Sequence, residues 1–253
     1  MNQSTNDINL ASGDYWDEGY EKFELAPMPL KYSTVKLLYK YLGNPGQGTD
    51  KSVFEIGVYP GRFIYHFGKA GYELNGIDQT KFLPQLEDWL RTNHFKTGRF
   101  RQDDVFTISK EEKYDVVFSA GFIEHFTNFE ELVQLHADIT KPGGYVYITA
   151  PNFRGRIQNW LHRKLDDENL ARHYVPSMNV AKWAAVLERN GFEILLADYV
   201  GGFDFWADQQ SRNWKQKLLL KLVRFSLKIL KKLPLPNAAS YSPECAVIAR
   251  RKS

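Results

Sequence analysis

The chain has 253 residues, of which 43% are hydrophobic and 15% aromatic, which is enough to fill the core of one folded domain and excludes a disordered protein. The formal net charge of +3 excludes a chain that is basic throughout, so we expect no nucleic-acid partner. The single cysteine, Cys245, excludes an internal disulfide and is typical of a reducing compartment. Because the sequence has no uncharged apolar run of about 18 residues and no secretory pattern at its start, we expect a cytoplasmic protein.

Two segments precede the first predicted strand. Residues 1–12 are polar and are expected to be loose, whereas residues 15–25 are rich in aromatic side chains. Ser33 is expected to cap a helix whose apolar side runs over residues 35–42. The run Gly43-Asn44-Pro45-Gly46 should end that helix and lead into the core.

The stretch from Val53 to Asp78 predicts a strand, a tight loop, a helix and a second strand. Gly57 and Gly61 bracket the loop, where the backbone must be approached closely or take a positive φ. Asp78 stands at the end of the second strand, about 20 residues after the loop. A glycine loop followed by an acid at this distance predicts a bound nucleoside, with the acid accepting hydrogen bonds from the ribose hydroxyls.

The loop distinguishes between two kinds of nucleoside. A dinucleotide loop needs glycines at its third and sixth positions, where this chain has Tyr59 and Arg62, so NAD and FAD are disfavoured. The triplet Glu55, Gly57 and Gly61 resembles the first motif of class I S-adenosylmethionine-dependent methyltransferases, with Tyr59 in place of a usual glycine.

The resemblance continues in order down the chain. It covers a third strand ending in two acids, a fourth strand with a Glu-His pair after it, a turn with a fifth strand, the end of a helix entering a late strand, and a final strand. In that order, the motifs lie at residues 100–104, at 114–119 with the Glu-His pair inside 122–126, and at 141–149, 190–194 and 245–250. Helices are predicted between them at 81–92 and 129–139, and Ser177 is expected to cap another.

The resemblance implies an α/β fold: a Rossmann-like, doubly wound, mostly parallel sheet of seven strands with an antiparallel last strand. We expect one domain over residues 1–253, with a helical N-terminal segment that either closes over the cofactor or packs on the sheet. Its parts are the N-terminal segment (1–45), the cofactor-binding core (50–150), an insertion, lid and basic helix on the substrate side (151–240) and the final strand (243–250).

The resemblance also implies the cofactor and its site. S-adenosylmethionine is expected to bind at the carboxyl ends of the strands. Asp78 is expected at the ribose and Asp103 or Asp104 at the adenine, with Asp104 preferred. His125 is either a general base or a residue that only lines the pocket, and no metal site is expected. The predicted cofactor-binding residues are Glu55, Gly57, Gly61, Asp78, Asp103, Asp104 and Ser119.

The implied reaction is O-methylation of a sugar, a glycan or another small metabolite. The alternatives are a nicotinamide-dependent oxidoreductase and a cofactor-fold module that binds a partner without catalysis. The insertion at 153–176 is interpreted either as a substrate wall or as a surface excursion, and the glycine-hinged aromatic loop at 201–213 is interpreted as a lid.

The predicted helix at 213–233 is strongly basic. Residues 212–232 contain eight lysines and arginines and no acid, and five of these cations form one stripe. We consider three interpretations: peripheral membrane contact, a cap over an anionic substrate, and a helix packed on the protein with its lysines in water, which is preferred. The stripe consists of Lys217, Lys221, Arg224, Lys228 and Lys231.

Overall fold

The computed structural model describes residues 9–10, 13–21, 23–208, 210–230, 233 and 235–253. Most of the segment predicted to be loose, residues 1–12, therefore lies outside the described residues, as do Lys231 and Lys232 of the basic run. Among the helices that are described, none is long and apolar enough to cross a bilayer.

Seven strands form one sheet in the order β3-β2-β1-β4-β5-β7-β6. The last strand, β7, runs antiparallel to both of its neighbours, and the other pairs are parallel. The predicted fold is confirmed, and the antiparallel strand argues against the oxidoreductase alternative. The strands are β1 (Ser52–Ile56), β2 (Glu73–Asp78), β3 (Thr97–Gln102), β4 (Tyr114–Ala120), β5 (Thr140–Pro151), β6 (Phe192–Val200) and β7 (Glu244–Arg251).

Both faces of the sheet are buried under helices. Successive side chains of a strand point to opposite sides and therefore enter different apolar clusters. Val117 and Val247 belong to the apolar cluster on one face, whereas their neighbours Val116 and Ala246 belong to the cluster on the other. The first cluster includes side chains of α5 and α8, and the second includes side chains of α2, α3 and α4. The α-helices are α1 (Gly13–Tyr20), α2 (Ser33–Tyr41), α3 (Ile64–Lys69), α4 (Leu83–Thr92), α5 (Phe129–Asp138), α6 (Arg156–Leu165), α7 (Asp167–Ala171), α8 (Val180–Arg189) and α9 (Trp214–Leu230).

The two predicted helix caps are wrong. Ser33 is already the first residue of α2, and Tyr32, which precedes it, makes no side-chain cap. Ser177 lies in a short turn before α8, where its hydroxyl donates to the Tyr174 carbonyl at 2.7 Å. The buried indole of Trp183 donates to the Ser177 carbonyl at 2.7 Å, and this contact holds the serine in the turn rather than at the helix start.

The basic helix packs differently from the preferred interpretation. One side of α9 is buried, but five large apolar side chains on the other side are exposed. The interpretation of a fully packed helix, with only its lysines in water, is therefore corrected.

Candidate active site

A narrow cavity of about 230 Å³ lies over the carboxyl ends of β1, β2 and β4. Parallel strands bring these ends to one edge of the sheet, and ligands of such sheets bind there. The lining residues come from α1 and the segment before it, from the ends of β2 and β4, and from the loops after β1, β2, β3 and β4. They are Asn9, Trp16, Tyr20, Gly57, Tyr59, Pro60, Ile77, Asp78, Gln79, Thr80, Asp103, Val105, Ala120, Gly121, Phe122, His125 and Phe126.

The two predicted glycines of the first loop have different roles. Both have positive φ, 71° at Gly57 and 78° at Gly61. Gly57 lines the narrow cavity, and a Cβ there would lie 2.5 Å from the Phe122 ring. Gly61 does not line it, and a Cβ there would lie 2.2 Å from Leu86 of α4. Gly57 therefore keeps the cavity open, whereas Gly61 packs the loop against a helix.

Asp78 is the predicted acid whose placement fits best. Its two carboxylate oxygens accept the backbone N–H groups of Tyr59 at 3.0 Å and Thr80 at 3.1 Å, which fixes the side chain in the cavity wall. Burial raises the pKa of Asp78 to about 6, so the group is ionised at neutral pH. An ionised carboxylate at the end of β2 can accept hydrogen bonds from ribose hydroxyls.

The preference for Asp104 over Asp103 is reversed. Asp103 lines the narrow cavity, whereas Asp104 does not. The Asp104 carboxylate instead caps a short helical turn, accepting the Phe106 N–H at 2.9 Å and a Gln79 amide N–H at 3.0 Å. Because those bonds occupy Asp104, Asp103 is the acid of the pair that a ligand in the cavity can reach.

Two further predicted cofactor residues do not line the narrow cavity. Glu55 is buried behind the loop, where its carboxyl group accepts the Ile64 N–H and burial raises its pKa well above the usual value. The Ser119 hydroxyl donates to His136 of α5 at 2.9 Å. Both side chains therefore support the strand ends, and Ala120 and Gly121 line the cavity after β4.

His125 lines the narrow cavity as a neutral imidazole. Its Nδ1 lies 2.9 Å from the Arg172 carbonyl, and since a carbonyl can only accept, Nδ1 carries the proton and Nε2 keeps a lone pair. Burial lowers the pKa of His125 to about 4. The Trp16 ring packs edge-on at 5.1 Å between ring centroids. The arrangement gives a fixed, unprotonated nitrogen at the cavity wall.

Two side chains lie beside His125, one adjacent to it in the sequence and one far along the chain. Oε1 of Glu124 is 4.0 Å from Nε2, and the ring of His173 is 4.6 Å from the ring of His125. Within the described part of the chain, these three residues form a group whose ligand atoms all lie within 4.8 Å and could hold a metal ion. The sequence indicated no such group because His173 lies far along the chain from His125, within the insertion at 153–176.

An aromatic wall made by Trp16, Tyr20 and Tyr59 lies along the narrow cavity. Tyr20 packs on Tyr59 at 4.6 Å between centroids, and Trp16 stacks on Tyr20 at 5.9 Å. The structure thus favours the interpretation in which the N-terminal segment covers the cofactor site. The density of aromatic residues before the core was the available signal. The Tyr59 hydroxyl is buried and has no hydrogen-bond partner among the described residues.

A wide cavity of about 970 Å³ adjoins the narrow one and shares Ala120 and Gly121 with it. Its walls come from α2, the end of β5, the loop after β6 and the segment after α9. Thr34 donates to Glu244 at 3.0 Å in this wall, and burial raises the pKa of Glu244. Other lining residues include Lys31, Lys36, Arg62, Thr149, Pro151, Gly201, Phe203, Phe205, Trp206, Leu230, Leu233 and Leu235.

The residues of the narrow cavity fit the expected cofactor. The absence of a side chain at Gly57 leaves room beside the loop, Asp78 provides an anion for a ribose, and the unpaired Tyr59 hydroxyl offers a hydrogen bond. The faces of Trp16 and Tyr20 suit a flat base or a cation.

Comparison with known proteins agrees with the fold. The family described as "Methyltransferase domain" matches residues 31–197. A ubiquinone biosynthesis O-methyltransferase of Shewanella pealeana is 27% identical over 146 residues, which are 54% of this chain and 57% of that protein. A namesake from Hydrogenovibrio crunogenus is 25% identical over 154 residues, or 58% and 59% of the two chains. The chain thus spans less than two thirds of these relatives.

A solved structure shares the whole fold. An S-adenosylmethionine-dependent methyltransferase of Archaeoglobus fulgidus superposes with a TM-score of 0.59 at 18% identity. The match covers 94% of this chain and 100% of that one. The predicted resemblance and the predicted cofactor are confirmed at the level of the family. The chain belongs to the methyltransferase domain family and has the class I S-adenosylmethionine-dependent fold.

Proposed function

We propose that this protein transfers the methyl group of S-adenosylmethionine to a hydroxyl oxygen of a small acceptor, such as a sugar, a glycan or another metabolite. Two adjoining cavities at the carboxyl edge of the sheet support this division of labour. The narrow cavity has the residues that suit the cofactor, and the wide one has room for an acceptor. They meet at Ala120 and Gly121, where neither residue has a bulky side chain to separate them.

The narrow cavity would hold the cofactor through Asp78, Asp103, the Gly57 loop and the aromatic wall. When bound, S-adenosylmethionine supplies a methyl group that its positively charged sulfur already activates. The chain must then align the acceptor and accept the proton that its hydroxyl loses.

The single observation that carries the proposal is the fixed, neutral His125 in the cavity wall, whose Nε2 is unprotonated. The Arg172 carbonyl fixes the tautomer at 2.9 Å and would stabilise the imidazolium that forms when Nε2 takes a proton. Burial raises the pKa of Glu124 to about 8, so this neighbour, 4.0 Å away, is protonated before the transfer. A positive charge on His125 would favour ionisation of Glu124, which lets the pair share the charge.

The acceptor atom and class are inferred from two features. The matched relatives are named O-methyltransferases, which supports oxygen as the acceptor atom. The wide cavity has cationic and hydroxyl groups on one wall, at Lys31, Lys36 and Thr34, which suits a polar acceptor. Other parts of its wall come from residues 201–206 and from Leu230, Leu233 and Leu235, which belong to the predicted substrate side at 151–240.

The test of the base is the His125→Ala variant. We expect turnover to fall by about 10²–10⁴-fold, the range for loss of a general base, while affinity for S-adenosylmethionine changes little. Methyl transfer would be followed with radiolabelled S-adenosylmethionine and extracts containing hydroxylated metabolites. Calorimetry on the same variant would report cofactor affinity. Turnover within a few fold of wild type would mean that His125 only lines the pocket.

A matched control separates the base from the group of three side chains around it. His173 touches His125 but does not line the narrow cavity. If His125 works as a base, His173→Gln should keep most of the turnover, and a chelator should leave the wild type active. Loss of activity with a chelator, restored by a divalent metal, would instead assign Glu124, His125 and His173 as metal ligands.

The alternative of a module that binds a partner without catalysis is tested by the same assays. Binding of the cofactor without methyl transfer to any extract would support it.

A further inference from the structure

Helix α9 is attached to the protein along one side only. Leu220 and Leu227 are buried and join a small apolar cluster with Leu161 and Leu165 of α6 and with Phe205. These two positions are seven residues apart, about two helical turns, so they define one line of contact. The opposite side of the helix contacts no other part of the described chain closely enough to be covered.

The uncovered side has an apolar stripe. Five large side chains on it are between 51% and 70% exposed, and their spacing of four or three residues places them together on the helix. Scattered exposed apolar residues are ordinary, but a contiguous row of this length marks a surface that is covered in use. The apolar stripe consists of Trp214, Leu218, Leu222, Phe225 and Ile229.

A basic stripe runs beside the apolar one. Its four cations, spaced four, three and four residues apart, are all exposed, and none forms an ion pair with another described residue. Helix α9 contains no acid, so this charge is not balanced within the helix. The basic stripe consists of Lys217, Lys221, Arg224 and Lys228.

The combination identifies the occupant. A lipid bilayer with anionic headgroups offers apolar chains to the apolar stripe and negative charge to the basic one, in the same plane. A second copy of this chain on the same surface would bring like charges together at close range. Water alone leaves the apolar stripe unsatisfied. Charge complementarity therefore favours the anionic bilayer.

The end of α9 connects this surface to the wide cavity. Leu230 is the last residue of the helix, and Leu233 and Leu235 follow it. All three line the wide cavity, so one part of its wall is continuous with the helix that would face the bilayer.

We propose that α9 docks on an anionic bilayer and that the acceptor is an amphiphile whose apolar part stays in that bilayer while its polar head enters the wide cavity. The amphiphilic acceptor rests on the proposed methyl transfer, whereas the docking of α9 is independent of that proposal. An amphiphilic acceptor explains why a cavity with cationic and hydroxyl groups on one wall has leucines at the side next to α9.

The docking is tested by sedimentation with vesicles of mixed phosphatidylglycerol and phosphatidylcholine, and with vesicles of phosphatidylcholine alone. We expect the full chain to bind the anionic vesicles at low salt and much less at physiological salt or without phosphatidylglycerol. Replacing the four cations of the basic stripe by Gln should weaken binding by about 100-fold at low salt. Replacing Leu218, Leu222 and Phe225 by Gln should also abolish sedimentation, and these exposed sites tolerate the change.

A matched charge control removes four exposed cations elsewhere. Lys51, Lys69, Arg189 and Lys252 are exposed and lie outside α9 and both cavities, so their replacement by Gln gives the same net charge. This variant should bind anionic vesicles nearly as the wild type does. Equal loss in both charge variants, or no binding by the wild type, would overturn the docking. A concentration-dependent dimer that the Leu218, Leu222 and Phe225 changes dissociate would overturn it in favour of a second copy.

The acceptor is tested with radiolabelled S-adenosylmethionine and separated membrane and aqueous fractions of the organism that encodes the chain. We expect the label in the solvent-extractable lipids of the membrane fraction. Label only in water-soluble products would overturn the amphiphilic acceptor while leaving methyl transfer intact. Calorimetry with S-adenosylmethionine distinguishes the two failures, because absence of cofactor binding would sink the proposed function without affecting the vesicle result.

Discussion

The two cavities at the carboxyl edge of the sheet differ in how their residues are distributed along the chain. Most of the narrow cavity is built from residues that directly follow β1, β2, β3 and β4, with α1 folded over it. The wide cavity draws its walls from segments as distant as residues 28–36 and 243–244. The narrow cavity is therefore formed by strand ends and the loops that follow them. The wide cavity is formed by the packing of segments that are far apart in the chain.

This difference explains why the ligand of the narrow cavity can be inferred more specifically than the ligand of the wide cavity. A glycine loop and an acid at a strand end are typical of nucleoside sites, and the narrow cavity combines them with a fixed histidine. The wide cavity mixes cations, hydroxyls and leucines, which limits the acceptor to a class. The comparison predicts that cofactor binding and acceptor binding can be damaged separately.

The largest expected effect is on how the free energy of unfolding depends on pH, and it comes from Asp78. Because its folded pKa of about 6 lies above the ordinary value of 3.8, Asp78 contributes stability below pH 4 that is lost as the pH rises through 6. The stability of Asp78→Asn relative to wild type should therefore rise by about 2 kcal/mol over that range, a figure discounted for water at the cavity mouth. Urea unfolding of both proteins at several pH values measures it, and a constant difference would contradict the raised pKa.

Cofactor binding should respond to pH with the opposite sign. The ionised carboxylate accepts the ribose hydroxyls, so affinity for S-adenosylmethionine should fall as the pH drops below about 6. The Asp78→Asn variant should lose this pH dependence.

A smaller effect separates the neighbouring acids Asp103 and Asp104. Asp104→Ala removes a cap and should lower the free energy of unfolding by about 1 kcal/mol, with little change in cofactor affinity. Asp103→Ala should weaken S-adenosylmethionine binding by about 1 kcal/mol and leave stability nearly unchanged. Calorimetry and thermal unfolding on the two variants check the pair. The reverse pattern would restore the original preference for Asp104.

The sequence predicted the fold well because strands, helices and the first loop follow from local patterns and the sheet architecture follows from the family resemblance. The Gly57 loop and Asp78 were predicted from neighbouring residues, whereas the antiparallel direction of the run from Cys245 followed from the family resemblance. Ser119 and Asp104 do not line the narrow cavity, which the sequence could not indicate because it does not show which partner a side chain reaches. Their bonds to His136 and Phe106 formed only in the fold.

Long-range contacts set the other limit on prediction. The approach of His173 to His125 depends on how α6 and α7 fold back over the strand ends. The exposed stripe of α9 was also unpredictable, because an amphipathic pattern shows that a helix has an apolar side but not what covers it.

Titration calorimetry with S-adenosylmethionine tests the assignment of the two cavities most directly. We predict one site in the wild type, binding weaker by about 1–3 kcal/mol in Asp78→Ala, and wild-type affinity in Trp206→Ala, which alters only the wide cavity. No binding by the wild type, unchanged affinity in Asp78→Ala, or equal losses in both variants would contradict a cofactor site in the narrow cavity.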